Sequence, residues 1–259
     1  MKKKFSLTLI SILSVVVLVG VGFAAWIITT PNVEEMQTGT ITASGVTDAR
    51  YKLTATIADG NIVFGKPSTM DVNNAWFKPG DDVGDEKLTA TLTLTLTKPD
   101  GITGLDDDVF SDYLPDTFTF TMNAKKAAVE GSSVDDAKDD FNYAVSKNYV
   151  KKPTISYTAN GETGATKKDV ELGTAIEIAK NAFTKGADNK YTLAITITFA
   201  WGTAFTDGTH ANPYDYFNSL GYSDTNAGKA LELNDMQGKI NGISYEVTIA
   251  SKANAQQTV

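Results

Sequence analysis

The chain has 259 residues, 42% of them hydrophobic and 21% charged, a formal net charge of −8 and no cysteine. That composition supplies a packed core and argues against disorder, while the acidity, with no basic cluster among aromatics to offset it, excludes nucleic acid as a partner. Without cysteine there is no disulfide framework, thiolate metal site, cysteine nucleophile or lipoprotein anchor, so stability has to come from buried area; export without oxidative folding suits a Gram-positive surface.

Lys2, Lys3 and Lys4 precede an apolar run from Phe5 to Val21, followed by Gly22-Phe23-Ala24-Ala25. Positive, apolar and then small residues, in that order, are the pattern of a secretory signal peptide over residues 1–24, cut between Ala24 and Ala25. Cleavage leaves residues 25–259 and, with three lysines gone, moves the net charge from −8 to −11. The competing reading is an uncleaved anchor to about residue 28, because about 24 residues can cross a hydrocarbon core of roughly 30 Å. In both readings the membrane is met only through this segment and the remainder is secreted or held at the cell surface.

The rest of the chain reads as strands separated by polar turns. Tyr51 to Ala58, Asp59-Gly60 and Asn61 to Phe64 predict a hairpin, since Asp-Gly accepts the positive φ of a tight turn. From Lys87 to Thr97 the sequence alternates, with Leu88, Ala90, Leu92, Leu94 and Leu96 on one face and threonines on the other, which is the period of a half-buried strand. Pro99-Asp100-Gly101 closes it. Further strands are predicted at Thr117 to Met122, Thr154 to Ala159, Tyr191 to Trp201 and Ser244 to Ala250. Asp135 to Val145 predicts a short surface helix with an acidic start. Asn212 caps a second, with Pro213 at its first position, running through Leu220. A third is predicted from Ala227 to Ile240, ended by Asn241-Gly242.

Threonine fills roughly one position in eight, and β-branched residues suit a pleated surface. Alternation in place of continuous apolar runs favours antiparallel pairing. The expected fold is therefore mainly β: one antiparallel, jelly-roll-like β-sandwich over residues 25–259, with a few short helices and with insertions at about 101–115 and 125–153 lying at one rim.

His210 is the only histidine, and neither an HExxH nor a GxSxG motif is present, so no catalytic residue is expected and a secreted hydrolase is a remote alternative. His210 reads as a solvated loop residue. Asp106, Asp107, Asp108, Asp112 and Asp116 form one acidic cluster, and Asp81, Asp82, Asp85 and Glu86 another. Either is a weak calcium candidate, or a solvated loop that keeps the protein soluble; no other cofactor is expected. Trp201, Tyr214 and Tyr216 carry two readings: rings that stack on sugars, or rings that plug the end of the core.

Gly22-Phe23-Ala24-Ala25-Trp26 resembles the signal-peptide boundary of the TasA and camelysin family, with its SipW-type leader. Gln37-Thr38-Gly39-Thr40-Ile41 is similar to that family's first mature strand, and Phe77-Lys78-Pro79-Gly80-Asp81, followed by an alternating strand, to its Lys-Pro-Gly-Asp turn. The resemblance implies a secreted sandwich that assembles into surface or biofilm-matrix fibres, a homo-oligomer by function. Camelysin is described as a metalloprotease, but one histidine leaves little from which to build such a site. In a fibre of this kind an extended N-terminal segment, here Ala25 to Ala43, would complete the sheet of the next subunit. The alternative function is a carbohydrate-binding or adhesin module that meets cell-wall or matrix glycans.

Overall fold

A computed structural model describes residues 37–44, 46–47, 51–65, 70–71, 76–77, 86–98, 114–126, 135–186, 190–221 and 223–251. In chain order its strands are Gln37–Ser44 (β1), Val46–Thr47 (β2), Lys52–Ala58 (β3), Asn61–Val63 (β4), Met70–Asp71 (β5), Trp76–Phe77 (β6), Thr89–Thr97 (β7), Thr117–Lys126 (β8), Thr154–Thr158 (β9), Ala165–Asp169 (β10), Ile176–Ala179 (β11), Thr184–Lys185 (β12), Tyr191–Thr198 (β13) and Ile243–Ser251 (β14). The helices are Asp135–Ser146 (α1), Pro213–Leu220 (α2) and Asp224–Ile240 (α3), with a 3-10 turn at Lys180–Ala182.

One sheet runs β11-β8-β14-β1-β4 and the other β10-β9-β13-β7-β3-β2, with β12 also on β13; β5 and β6 pair by themselves. The first two form a sandwich, because each strand puts its apolar parity on the inside. In β7, Ala90, Leu92, Leu94 and Leu96 are buried while the intervening threonines stay at the surface. In β8, Phe118, Phe120, Met122 and Ala124 do the same from the opposite sheet. Each such leucine or phenylalanine contributes roughly 1.5–3 kcal/mol by leaving water. Rings meet across the gap, Tyr51 on Phe118 at 6.1 Å and Phe199 on Tyr245 at 4.9 Å. The chain passes from sheet to sheet between β1 and β2, β3 and β4, β7 and β8, β8 and β9, β10 and β11, β11 and β12, and β13 and β14.

The mainly β, antiparallel sandwich is as expected, with three departures. Asp59-Gly60 does adopt a tight turn, with Asp59 at φ 55°, but β3 and β4 do not pair. The turn is a corner that moves the chain from the seven-stranded to the five-stranded sheet, and Gly60 O accepts from the Ile41 N–H at 2.9 Å. Next, β1 lies parallel to β14, a pairing that no local connection can make, since parallel neighbours need a long crossover. Here the crossover is nearly the whole chain.

The third departure is α1. Ala137, Phe141 and Ala144 are buried, and the Phe141 ring sits edge-on to Phe199 and Tyr245 at 6.3 and 5.8 Å. The helix closes the core and is not a surface decoration; correspondingly, Lys125 and Lys126, placed in an insertion by sequence, finish β8. The Asn212 cap is as expected, its side chain accepting from the Asp215 N–H at 2.9 Å. Helix α3 begins at Asp224, capped by the Ser223 hydroxyl.

Candidate assembly surface

The expected donor segment, Ala25 to Ala43, contains most of β1. Ile41 to Ser44 register with Tyr245 to Thr248 of β14, while Gln37, Gly39 and Thr40 register antiparallel with Val63, Ile62 and Asn61 of β4. Ile41, 2% exposed, delivers its side chain to the core beside Tyr245. Thus β1, the first described element of the chain, is the stitch between β14 and β4. Without it the nine residues of β14 would be paired only with β8, leaving an open row of backbone donors and acceptors on the other side, the template on which an added strand forms.

The remaining sheet margins are guarded. Lys168 of β10 sends its Nζ across the open side of the sandwich to the carbonyl of Glu177 on β11 at 2.8 Å, filling an outward acceptor of that edge. Strand β10 itself reads Lys167-Lys168-Asp169, and charge along an edge discourages pairing with a neighbour. At the other margin Val63 and Lys87 exchange both backbone hydrogen bonds at 2.7 and 2.8 Å, and β2 is only two residues long.

One end of the sandwich is closed by aromatic rings. Trp201 is 3% exposed and packs edge-on against Phe64 at 5.0 Å and Phe205 at 5.9 Å; its Nε1–H donates to Glu86 Oε2 at 2.7 Å. Burial raises the Glu86 carboxyl above its ordinary range despite that hydrogen bond. Stacking on a sugar needs an open ring face, so Trp201 is a plug and not a stacking residue. Tyr216 is half-buried, 5.7 Å from Phe217 and 6.4 Å from His210. Tyr214 lies on α2, and its side chain falls outside the described residues. Gly202, next to Trp201, donates to Tyr149 O at 2.8 Å; a Cβ there would meet Asn148 O at 1.9 Å, so only glycine permits the approach.

His210 lies in the loop before α2, as expected, but it is held. The Asp207 carboxylate accepts from the Thr209 and His210 N–H groups at 2.7 and 2.6 Å and lies 3.0 Å from His210 Nδ1. The hydrogen bond from the His210 ring, with those two N–H groups, brings the Asp207 carboxyl down to about 2. This is a closed turn with every partner on the same loop.

A polar tie fastens α3 to α1, and nothing in the sequence announced it. The Tyr143 and Tyr149 hydroxyls both donate to Asp235 Oδ2 at 2.9 Å. Asp140 accepts from Lys126 on β8 and, at 2.9 Å, from Lys239 on α3. Burial would raise the Asp140 carboxyl, yet the two lysines outweigh it and hold it below its ordinary value. Burial, then the bond to Asp235, raises Tyr149. The partners stand 92, 86 and 99 positions apart, a separation across which spacing carries no signal.

Asp106, Asp107, Asp108 and Asp112, the Asp81 to Asp85 cluster, and the Ala24–Ala25 boundary lie outside the described residues, while Asp116 is exposed and sits 3.3 Å from Lys180 Nζ. Among the described residues no three His, Asp or Glu side chains converge as a metal site, and no helix is long and apolar enough to cross a membrane. No protein-family model, curated protein or solved structure matches the chain.

Proposed function

We propose that the chain is a secreted surface or biofilm-matrix structural protein, not an enzyme, that forms fibres by donating its N-terminal strand to the next copy. The carrying observation is the place of β1: an N-terminal strand, parallel to β14, filling the gap between β14 and β4. Exchange of a terminal element between identical subunits preserves every contact it makes and is a low-cost route to assembly. The guarded margins at β10, β11 and β4 support the same reading, because they leave the β1 gap as the preferred place for an incoming strand. The leader expected over residues 1–24, and the resemblance to the TasA and camelysin family, support delivery outside a Gram-positive cell. The glycan-binding alternative loses its central ring with the burial of Trp201.

A disulfide lock tests the reading. Thr42 and Glu246 are register partners and the chain has no cysteine of its own, so Thr42→Cys with Glu246→Cys can pin β1 in its own sheet. The oxidised protein is expected to form no fibres by electron microscopy and the reduced protein to form them. Equal fibre formation in both states would sink strand donation.

A further inference from the structure

The guard at the β2 margin ends where β2 ends. That strand pairs only with Lys52 and Leu53 of β3, whereas on its other flank β3 is paired with β7 from Lys52 to Ala58. Thr54 to Ala58 are therefore a sheet edge. The parity of its backbone groups follows from β7. The Phe199 N–H donates to Leu88 O at 2.8 Å, and in an antiparallel ladder a residue sends both its N–H and its C=O to the same side. Even-numbered residues of β7 thus face β13 and odd-numbered ones face β3. Thr95 O, on the β3 side, also accepts from the Thr54 hydroxyl at 3.4 Å. Carried through the register, this turns Thr54, Thr56 and Ala58 toward β7 and leaves the N–H and C=O groups of Ala55 and Ile57 on the open flank. Among the described residues nothing bonds those four groups. The inner face shows the same gap: Leu53, beside β2, is 2% exposed, but Ala55 and Ile57 are only half-buried, although their partners Leu94 and Leu92 are 0% exposed.

We infer that this edge is a self-association site, where β3 of a second copy of the chain pairs antiparallel with it about a twofold axis at Thr56. Unpaired edge groups are a template for a strand, and the register selects a second copy as that strand. Leu53 is occupied by β2, so two such edges engage all their open groups in one way only. Ala55 pairs with Ile57 of the second copy, Ile57 with the second copy's Ala55, and four backbone hydrogen bonds are exchanged. The side chains fit the same register. On the inner face the large Ile57 lies across from the small Ala55, and on the outer face Thr56 meets Thr56, a hydroxyl that both donates and accepts. The charges agree as well. Thr54 to Ala58 carry none, in contrast to Lys167-Lys168-Asp169 at the β10 edge. Lys52 precedes the stretch and Asp59 follows it, so antiparallel pairing brings the lysine of each copy to the aspartate end of the other.

Five residues per copy make a small contact, so one pair is weak and transient, and a row of copies strengthens it. The pairing does not require strand donation. The β1 gap offers an incoming strand two flanks and this edge offers one, so the edge does not compete for the donor.

A disulfide trap tests the inference, since it captures weak pairs and the chain has no cysteine of its own. At the axis the two copies of residue 56 form a non-hydrogen-bonded pair with Cα atoms about 4.5 Å apart, within reach of a disulfide. The two copies of residue 54 are four residues apart along the strands, and those of residue 93, the β7 partner of Thr56, are three strand spacings apart, in both cases about 14 Å. Under mild oxidation of the secreted chain at equal concentration, Thr56→Cys should give the covalent dimer at least tenfold faster than Thr54→Cys or Thr93→Cys, read on non-reducing gels. Ala55→Pro added to Thr56→Cys removes an outward N–H that bonds nothing in its own chain, a change an edge tolerates, and should slow the trap at least tenfold. If that variant melts early, the comparison among the three cysteine positions decides. Equal rates at residues 54, 56 and 93, or a folded Ala55→Pro variant that traps as fast as its parent, would overturn the inference. Rapid trapping at residue 56 in a chain that forms no fibres supports the edge and counts against donation; fibres with no preference for residue 56 overturn the edge and leave donation standing.

Discussion

Tyr245→Phe takes a single oxygen out of the middle of the sandwich. Tyr245 is fully buried, its ring rests on Phe199 and Phe141, and its hydroxyl has no hydrogen-bond partner among the described residues. Burial is also what pushes its phenol above the ordinary range. A hydroxyl taken from water and left unpaired costs about 1–3 kcal/mol, so phenylalanine, which keeps every ring contact, should raise stability by about that amount. In a domain of this size each kcal/mol moves the melting midpoint by about 2–4 °C, a rise of roughly 2–12 °C. The urea midpoint should increase with the slope unchanged, which places the effect in the native state. A loss of about 1 kcal/mol or more would refute the reasoning, since it would mean that the oxygen is bonded. Tyr51 has the other hydroxyl of this kind, at the far end of the core beside Phe118. Phe118 and Ala124, the β8 residue opposite Tyr245, are six positions apart, about 20 Å along the strand. Tyr51→Phe should therefore be stabilising as well, and additive with the first change.

Other substitutions test the remaining joints. Phe141→Ala should destabilise by about 3–5 kcal/mol, as a large-to-small change in a closed core does; an effect within about 0.5 kcal/mol in urea titration would make α1 a surface helix after all. Gly202→Ala drives a Cβ into the Asn148 carbonyl and should lower the melting midpoint measurably, by the equivalent of about 1–3 kcal/mol; a wild-type melting curve would contradict the close approach. Asp140 has a folded pKa below its unfolded one, so its contribution is present above the unfolded value and disappears as pH falls through the folded value. Asp140→Asn should thus be less stable than wild type near neutrality and lose less on acidification below about pH 4. Parallel loss in the two proteins on acid titration of the melting midpoint would remove Asp140 from that account.

What could be read in advance follows from where the information lies. Alternation in Thr89 to Thr97 is local, and burying one face of a pleated strand requires it, so β7 and its inward leucines were legible. The Asn212-Pro213 start of α2 was legible for the same reason: a cap and a pre-set φ act within a few residues. Asp59-Gly60 shows the limit. The dipeptide dictated a turn with positive φ, but a turn cannot say whether the strands it joins will pair, and here the partners of β3 and β4 are β7 and β1 instead.

The candidate surface was less legible than the fold. Residues Gln37 to Ile41 were expected as a strand only through the family resemblance, and their place beside β14, at the opposite end of the chain, depends on a pairing some 200 positions away. Trp201 could be a stacking ring or a plug on sequence alone; Phe64, Phe205 and Glu86, brought to it from distant segments, decided for the plug. Through side-chain periodicity and turn chemistry, which act between near neighbours, the sequence by itself determined the long alternating strands such as β7 and β8, their inward faces and the Asn212 cap, but not the short strands β10 and β11 or the Ser223 cap. Tertiary structure alone decided which strands adjoin and which helix enters the core, because those outcomes depend on contacts between residues that only the closed chain brings together.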